Sequence, residues 1–237
     1  MFDGRSRRTA VLLLVPAAVA GVSLAGCSGS SSHSGDAALS AKAAAGAFSA
    51  AKLRGALLTR VNGVGAATPV ASGVFSSLPA TETGGRPTGG VKATPEACAQ
   101  ATRTGFNPTV LGASPAAAVT FKVDTNGVSE VLVSSPDSVS STALAGKLPA
   151  SCAHFKETVD GKTMTYTVTQ STLTGIGKQA RILNLKSSAG RADDLWSLVY
   201  LGKGFVGGVT VVGPNASQTA VRELGEQAYT YAAKSLS

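Results

Sequence analysis

Two features of this chain contain residue types that nucleophilic catalysis uses: a serine–lysine pair and a histidine. Ser49 and Lys52 stand three apart, the S-x-x-K spacing that puts both on one helical face in penicillin-interacting enzymes, but the companion motifs S-D-N and K-T-G are absent. His154 is the one histidine after residue 48, and no G-x-S-x-G elbow accompanies it. We therefore predict that Ser49 caps a helix, that His154 ends a strand, and that the protein is not an enzyme.

Cofactor and metal motifs are equally weak. The string from Gly202 to Gly207 matches G-x-G-x-x-G, and the string from Gly175 to Ala180 nearly does. A dinucleotide site needs such a loop before a helix, so that the pyrophosphate meets the helix N-terminus, whereas both strings run into predicted strands. Asp193 and Asp194 are adjacent acids without a third carboxylate nearby. We predict turns here, with no cofactor and no metal.

The sequence Leu24-Ala25-Gly26-Cys27 is the most informative chemical signal. Arginines near the start precede an uncharged run over residues 9–26, the order of a secretory signal. The string resembles the lipobox of bacterial lipoproteins, which implies cleavage before Cys27 and attachment of a diacylglyceryl group to its thiol. Two acyl chains would anchor the mature chain stably on the outer face of the cytoplasmic membrane.

Two alternatives concern this leader. An uncleaved membrane helix is disfavoured because the apolar stretch is shorter than the roughly 20 residues of a span and contains Pro16. The residues Ser6 to Val11 also resemble a twin-arginine signal, so the export route stays open between that pathway and ordinary secretion.

Cys98 and Cys152 are the cysteines that remain once Cys27 carries lipid. An even pair in an exported chain predicts a disulfide. The chain has no Cys-x-x-Cys pair for redox chemistry and too few ligands for a metal. We expect a structural link that removes about 4 kcal/mol of unfolded-state entropy on the chain-entropy model.

The chain is basic, with 21 Lys and Arg against 13 Asp and Glu and a formal net charge of +8. The basic residues are scattered singly with few aromatic residues beside them, which argues against nucleic acid as a partner. A basic surface would reduce repulsion from an anionic bilayer or from acidic wall polymers.

The pattern along the chain predicts three segments. Residues 1–26 form the signal peptide, residues 27–48 the lipidated cysteine and a flexible Ser/Gly-rich and Ala-rich tether, and residues 49–237 one domain. Helices are expected from Ser49, from Thr94 through Cys98, after Ser135, and at the C-terminus. The last helix would be capped by Asn215, with a core-facing stripe of Val221, Leu224, Ala228 and Tyr231.

Strands are indicated by alternating polarity between these helices. A hairpin over residues 119–133 would turn at Asn126-Gly127, and alternating threonines over residues 163–169 predict a strand with one wet face. Further strands are expected over residues 180–185, 195–201 and 205–212. Short gaps favour an antiparallel meander, so we predict an α+β domain with helices packed on one face of the sheet.

Trp196 and Tyr200 share one face of a predicted strand with Leu198, because residues two and four apart on a strand point the same way. That face is either core or the wall of a pocket. We take Trp196 and Tyr200 as the candidate ligand-binding residues.

The Cys98 helix, the hairpin, the approach Leu148-Pro149-Ala150-Ser151-Cys152, the meander and the last helix together resemble actinobacterial sensor-like lipoproteins. These are similar to the extracellular sensor domain of the mycobacterial receptor kinase PknH. The resemblance spans roughly residues 94–237 and implies an antiparallel sheet with helices packed on it and a ligand cleft. Cys98 and Cys152 carry over, whereas the second disulfide of the kinase domain has no counterpart.

The function that follows is that of a membrane-anchored extracytoplasmic lipoprotein without enzymatic activity. We expect it to bind a small or amphiphilic envelope ligand, or a protein partner, in a groove between sheet and helices. One alternative is a lipid carrier with an apolar cavity, and another is a cryptic hydrolase that would use His154.

Overall fold

The computed structural model describes residues 47–79, 92–96, 98, 108–145, 148–159, 162–188 and 194–237. The predicted signal peptide over residues 1–26, Cys27 and nearly all of the tether lie outside the described residues. So does most of the helix predicted from Thr94 onward. Cys98 is helical as expected, but the predicted start is wrong, because Thr94 pairs with Lys156 and ends the strand Lys92–Thr94, and Pro95 and Glu96 are not helical.

The strands in the described residues are β1 Arg60–Val61, β2 Val64–Gly65, β3 Ala71–Val74, β4 Lys92–Thr94, β5 Pro115–Val123, β6 Asn126–Ser134, β7 His154–Val159, β8 Lys162–Leu173, β9 Gln179–Ser187, β10 Leu195–Leu201 and β11 Phe205–Val212. Nine of them form an antiparallel sheet with the order β3-β5-β6-β11-β10-β9-β8-β7-β4. A separate hairpin pairs the short strands β1 and β2. Strands β7 to β11 follow one another in both sequence and space, which confirms the predicted meander.

The helices that accompany the sheet in the described residues include α1 Ala50–Gly55, α2 Pro108–Leu111, α3 Asp137–Ala145 and α4 Gln218–Leu236. Single 3-10 turns cover Phe75–Ser77 and Ala150–Cys152. The predicted α+β class, the antiparallel sheet and the packing of the last helix on it are confirmed. The expected single helical layer becomes two, because α1 and α4 lie on one face while α2 and α3 lie on the other.

Strand alternation explains this division. Along β10, Leu198 and Tyr200 join the apolar cluster under α1 and α4, whereas Val199 and Leu201 join the cluster under α2 and α3. Both sets are buried, so the central strands are apolar on both faces. Each face therefore needs its own helical cover, and α3 covers the side that α4 leaves free.

The turn between β5 and β6 is two residues earlier than predicted. Val123 pairs with Asn126, so Asp124 and Thr125 form the turn, with Asp124 at a φ of 53°. Asp tolerates this left-handed conformation better than most residues. The Asn126 side chain instead accepts a hydrogen bond from the backbone N–H of Asn215 at 3.1 Å.

The cap of one helix matches the prediction, and the cap of another differs from it. Ser49 caps α1 as expected, because its hydroxyl accepts the N–H of Lys52 at 3.2 Å. The cap of α4 is Ser217 and not Asn215, since Asn215 is held by the β5–β6 turn while the Ser217 hydroxyl accepts the N–H of Ala220. In the stripe of α4, Ala232 is buried where the spacing predicts Tyr231, and Tyr231 is exposed.

The first helix is shorter than its apolar spacing suggests. It ends at Gly55, and the following residues Leu57 and Val61 are buried without being helical. They remain in the same core cluster because the chain after α1 lies directly on β5 and β6.

Candidate functional site

The predicted disulfide between Cys98 and Cys152 is confirmed, with the two Cα atoms 5.4 Å apart. Both residues are buried, in a cluster that backs strands β7 to β9. Phe155 and Tyr166 stack beside them with ring centroids 5.3 Å apart. The link therefore joins the segment after β4 to the segment before β7.

Trp196 and Tyr200 lie on the same face of β10, as the sequence predicts, but in different surroundings. Tyr200 has no exposed surface and contacts Phe205 and Tyr229 edge to face. Its ring lies over Gly207, where a Cβ atom would overlap it. Trp196 is half-buried and packs against the edge of the cluster under α4. Ligand contact by Trp196 stays a prediction, whereas Tyr200 has no surface with which to touch a ligand in this conformation.

Beyond Trp196, the side of the sheet that carries α1 and α4 continues as a polar surface, which we call the threonine face. Thr169 is paired with Asn184, and Asn184 with Trp196, so one row of side chains crosses from β8 to β10. The next row joins Lys186, Thr167 and His154. The threonine face comprises His154, Lys156 and Thr158 on β7, Thr163, Thr165, Thr167, Thr169 and Ser171 on β8, and Asn184 and Lys186 on β9.

Hydroxyl groups of the threonine face pair across neighbouring strands. Thr158 and Thr163 share a hydrogen bond of 2.8 Å between their Oγ1 atoms, and Thr167 Oγ1 lies 3.4 Å from His154 Nδ1. Nearly all of these side chains are exposed. The opposite side of the same strands is buried on the disulfide cluster. The sheet is thus packed on one side here and open on the other.

A cleft of about 370 Å³ lies on the disulfide side of the sheet. One wall is formed by one end of β8, and the other by Leu148, Pro149, Ala150, Cys152 and Ala153. The N–H of Leu148 donates to Gln170 Oε1 at 3.3 Å, which ties the two walls together. The lining is mainly apolar, and its polar side chains include those of Gln170 and Thr172, which share the face of β8 with Val168.

A buried acid that the sequence patterns did not bring forward lies in the middle of the sheet. Glu130 on β6 is fully buried between Val119 and Val209 of the neighbouring strands. Its Oε2 accepts the N–H of Leu58 at 2.8 Å, and burial raises the pKa of its carboxyl to about 8. A signal was available, because Glu130 occupies the core-facing position between Val128 and Leu132 of an alternating strand.

Glu130 also influences Tyr200. Burial, with the negative charge of Glu130 as a smaller cause, raises the pKa of the Tyr200 hydroxyl well above its ordinary value. Within the described part of the chain, Glu130 Oε1 and Tyr200 Oη have no hydrogen-bond partner. A neutral carboxyl is the form that this environment favours.

The remaining sequence motifs have structural roles. The glycine string after Gly202 is the turn between β10 and β11, and the string after Gly175 leads into β9, so both run into strands as predicted. Asp194 Oδ1 accepts the N–H of Ser187 at 3.0 Å, while Asp193 lies outside the described residues. Among described residues, no group of three or more His, Cys, Asp or Glu could hold a metal ion. No described helix is both long and apolar enough to cross a bilayer.

Comparison with known proteins finds no matching family model and no matching curated protein. Among solved structures, the extracellular domain of PknH from Mycobacterium tuberculosis is similar, with a TM-score of 0.48, 12% identity, and coverage of 71% of this chain and 82% of that domain. A putative uncharacterized protein of Mycobacterium smegmatis, the Rv0999 ortholog, has a TM-score of 0.34, 14% identity, and coverage of 73% and 84%. The resemblance to the PknH domain that the sequence predicts is thus found in the structural comparison as well.

Proposed function

We propose that this chain is a non-enzymatic, extracytoplasmic lipoprotein, anchored through a lipidated Cys27, which binds a cell-envelope molecule where Trp196 meets the threonine face. The observation that carries the proposal is the unequal covering of the sheet. The disulfide cluster backs one side of β7 to β9, while the other side is open and bordered by the one tryptophan of the chain.

The extracytoplasmic placement is supported by two features of independent origin. The leader ends in Leu24-Ala25-Gly26-Cys27, the order expected of a lipoprotein signal. The folded domain contains a disulfide, a bond typical of oxidising compartments.

The absence of catalysis is supported by the positions of the two candidate residues. The Ser49 hydroxyl caps α1, which lies over β5 and β6. His154 lies on β7, near the opposite edge of the sheet from β5 and β6, and contacts Thr167. The two side chains are therefore not arranged as nucleophile and base.

Metabolic labelling with radioactive palmitate tests the anchor. We expect label on the wild-type chain and on the neighbouring control Ser28→Ala, with loss of label in Cys27→Ala. Label that persists in Cys27→Ala, or a wild-type chain without label, would contradict the anchor.

Fluorescence of the single tryptophan tests the ligand site. The full chain is titrated with lipid and glycan fractions of a bacterial envelope, and both emission and thermal midpoint are followed. We expect one fraction to shift the emission of Trp196 and to raise the midpoint, since a ligand that binds only the folded state stabilises it. In Trp196→Phe the rise should be smaller. If no fraction changes either quantity, the binding proposal fails.

A second candidate function, lipid carriage, is favoured by the cleft beside the disulfide. Its volume of about 370 Å³ is within the usual range for ligand sites, and its lining is mainly apolar. Native mass spectrometry of detergent-free protein would detect a co-purified lipid. A bulky replacement in the wall, Ala153→Phe, should remove that adduct, whereas purification without any adduct would argue against carriage.

A further inference from the structure

The threonine face presents hydrogen-bonding groups in a regular array. Neighbouring strands are about 5 Å apart, and side chains on one face of a strand repeat about every 7 Å. Hydroxyls of β8 therefore lie at two-residue intervals beside the imidazole of His154 and the amide of Asn184. Such an array can make several hydrogen bonds at once to a ligand that itself carries many hydroxyls.

The charges on this surface have one sign. Lys156 and Lys186 are both exposed on it. On β7 to β9, the acidic residue is Glu157, which is buried on the opposite side. Asp194 lies next to the face at the start of β10, where its carboxylate accepts the N–H of Ser187. A ligand with negative charges is therefore complementary to the centre of the face.

Two other occupants fit this surface less well. A bilayer would require apolar side chains to insert, but the large exposed apolar residues among those described are Val64, Val74, Val110 and Tyr231, none of which is on the threonine face. The centre of a protein interface is typically rich in aromatic residues and poor in lysine. Here Trp196 at the border is the single large aromatic side chain, and lysines stand in the middle.

We propose that the threonine face binds an acidic polysaccharide, with Lys156 and Lys186 paired to its carboxylates or phosphates, the threonine hydroxyls bonded to its sugar hydroxyls, and Trp196 against one sugar ring. The proposal rests on the proposed function, because it names the chemical class of envelope molecule for the same site. Tryptophan suits this position since it offers a flat apolar ring beside a polar surface.

Affinity electrophoresis of the full chain in native gels that contain polygalacturonate tests the proposal, with neutral dextran as the reference polymer. We expect polygalacturonate to retard the wild-type chain and dextran to retard it far less. The double variant Lys156→Gln/Lys186→Gln should bind at least about fivefold more weakly, since two exposed ion pairs contribute about 1 kcal/mol together.

The matched control is Lys52→Gln/Lys234→Gln, which removes the same charge from positions on α1 and α4, away from the threonine face. It should bind as the wild type does, and thermal midpoints would show that both double variants are folded. Binding should also weaken as the salt concentration rises from about 50 to about 500 mM, because salt screens exposed charges.

Three results would overturn the proposal: equal weakening in both double variants, equal retardation by dextran, or binding to vesicles of phosphatidylglycerol and phosphatidylcholine without binding to polygalacturonate. Failure of this proposal can be distinguished from failure of the broader proposed function. If Trp196 responds to a neutral or apolar envelope fraction while polygalacturonate is ignored, binding at this site stands and the acidic polysaccharide is excluded.

Discussion

The backbone N–H of Leu58 donates to Glu130 Oε2 at 2.8 Å, so the segment that follows α1 is hydrogen-bonded to an acid in the middle of the sheet. One carboxylate oxygen is used by this contact, and no described group bonds the other. The arrangement makes the protonation state of Glu130 a determinant of stability.

The first prediction concerns pH. Burial raises the pKa of Glu130 from 4.5 to about 8, so the folded state holds a proton that the unfolded state releases between these values. The free energy of unfolding should therefore fall as pH rises through this window, by about 1.4 kcal/mol per pH unit from this residue. Below the window this contribution is fully present, and above it no further loss is expected.

Urea unfolding of wild type and Glu130→Gln at several pH values checks this prediction. In the variant, the amide oxygen of the new side chain can still accept the Leu58 N–H, but the side chain cannot ionise. Relative to that of Glu130→Gln, the free energy of unfolding of the wild type should fall as pH rises from 4.5 to about 8. Parallel pH profiles for the two proteins would show that Glu130 does not titrate in this range.

The second prediction concerns the close approach of β11 to the Tyr200 ring. A methyl group at Gly207 would overlap that ring, so Gly207→Ala should destabilise the domain by about 1–3 kcal/mol through overpacking. Gly73→Ala on β3 is the control, because the nearest atom to its new Cβ is 3.9 Å away. Equal unfolding midpoints for the two variants would mean that Tyr200 moves aside freely.

The third prediction concerns the disulfide. The two cysteines are 54 residues apart, and replacement of both by serine should cost about 4 kcal/mol if the loop-entropy account applies. Denaturant unfolding of Cys98→Ser, Cys152→Ser and the double variant provides the measurement. Each single variant should lose nearly as much as the double variant, since either change breaks the link. A loss in one single variant alone would indicate a packing effect of that residue.

The fourth prediction concerns the start of the domain. Ser134 Oγ accepts the N–H of Phe48 at 2.8 Å, in a partly buried position. Ser134→Ala leaves this donor without that acceptor and should cost about 1–3 kcal/mol. The control Ser77→Ala removes an exposed hydroxyl and should change stability by less than about 0.5 kcal/mol. Hydrogen exchange at Phe48 should quicken in Ser134→Ala only, and unchanged exchange would contradict the assigned role.

Long periodic elements are predictable from this sequence, while their ends and faces are less so. β10 and β11 have the predicted bounds because their apolar runs are flanked by turn residues. The β5–β6 turn differs from its predicted place because Asn126-Gly127 is a strong local turn signal, yet Asn126 is used by a residue 89 positions away. Contacts of that range cannot be read from local spacing.

The candidate site is also only partly predictable from the sequence. Alternation correctly predicts that Trp196 and Tyr200 share one face, but whether that face is open depends on where α4 ends over the sheet. The alternating threonines of β8 indicate a wet surface, and the structure shows them exposed. The rows that join them to His154, Asn184 and Trp196 depend on the registers of four strands.

The attachment of residues 47–58 has a mechanical consequence. Near the start of the segment, Phe48 is hydrogen-bonded to Ser134 at the end of β6. At the end of the segment, Leu58 is hydrogen-bonded to Glu130, nearer the middle of β6. β6 is an inner strand of the sheet. A pull on the chain from its N-terminal side would load these two side-chain contacts and the Phe48–Phe205 ring contact before it reached any strand pairing. Under tension these contacts should break first, before the hydrogen bonds between strands.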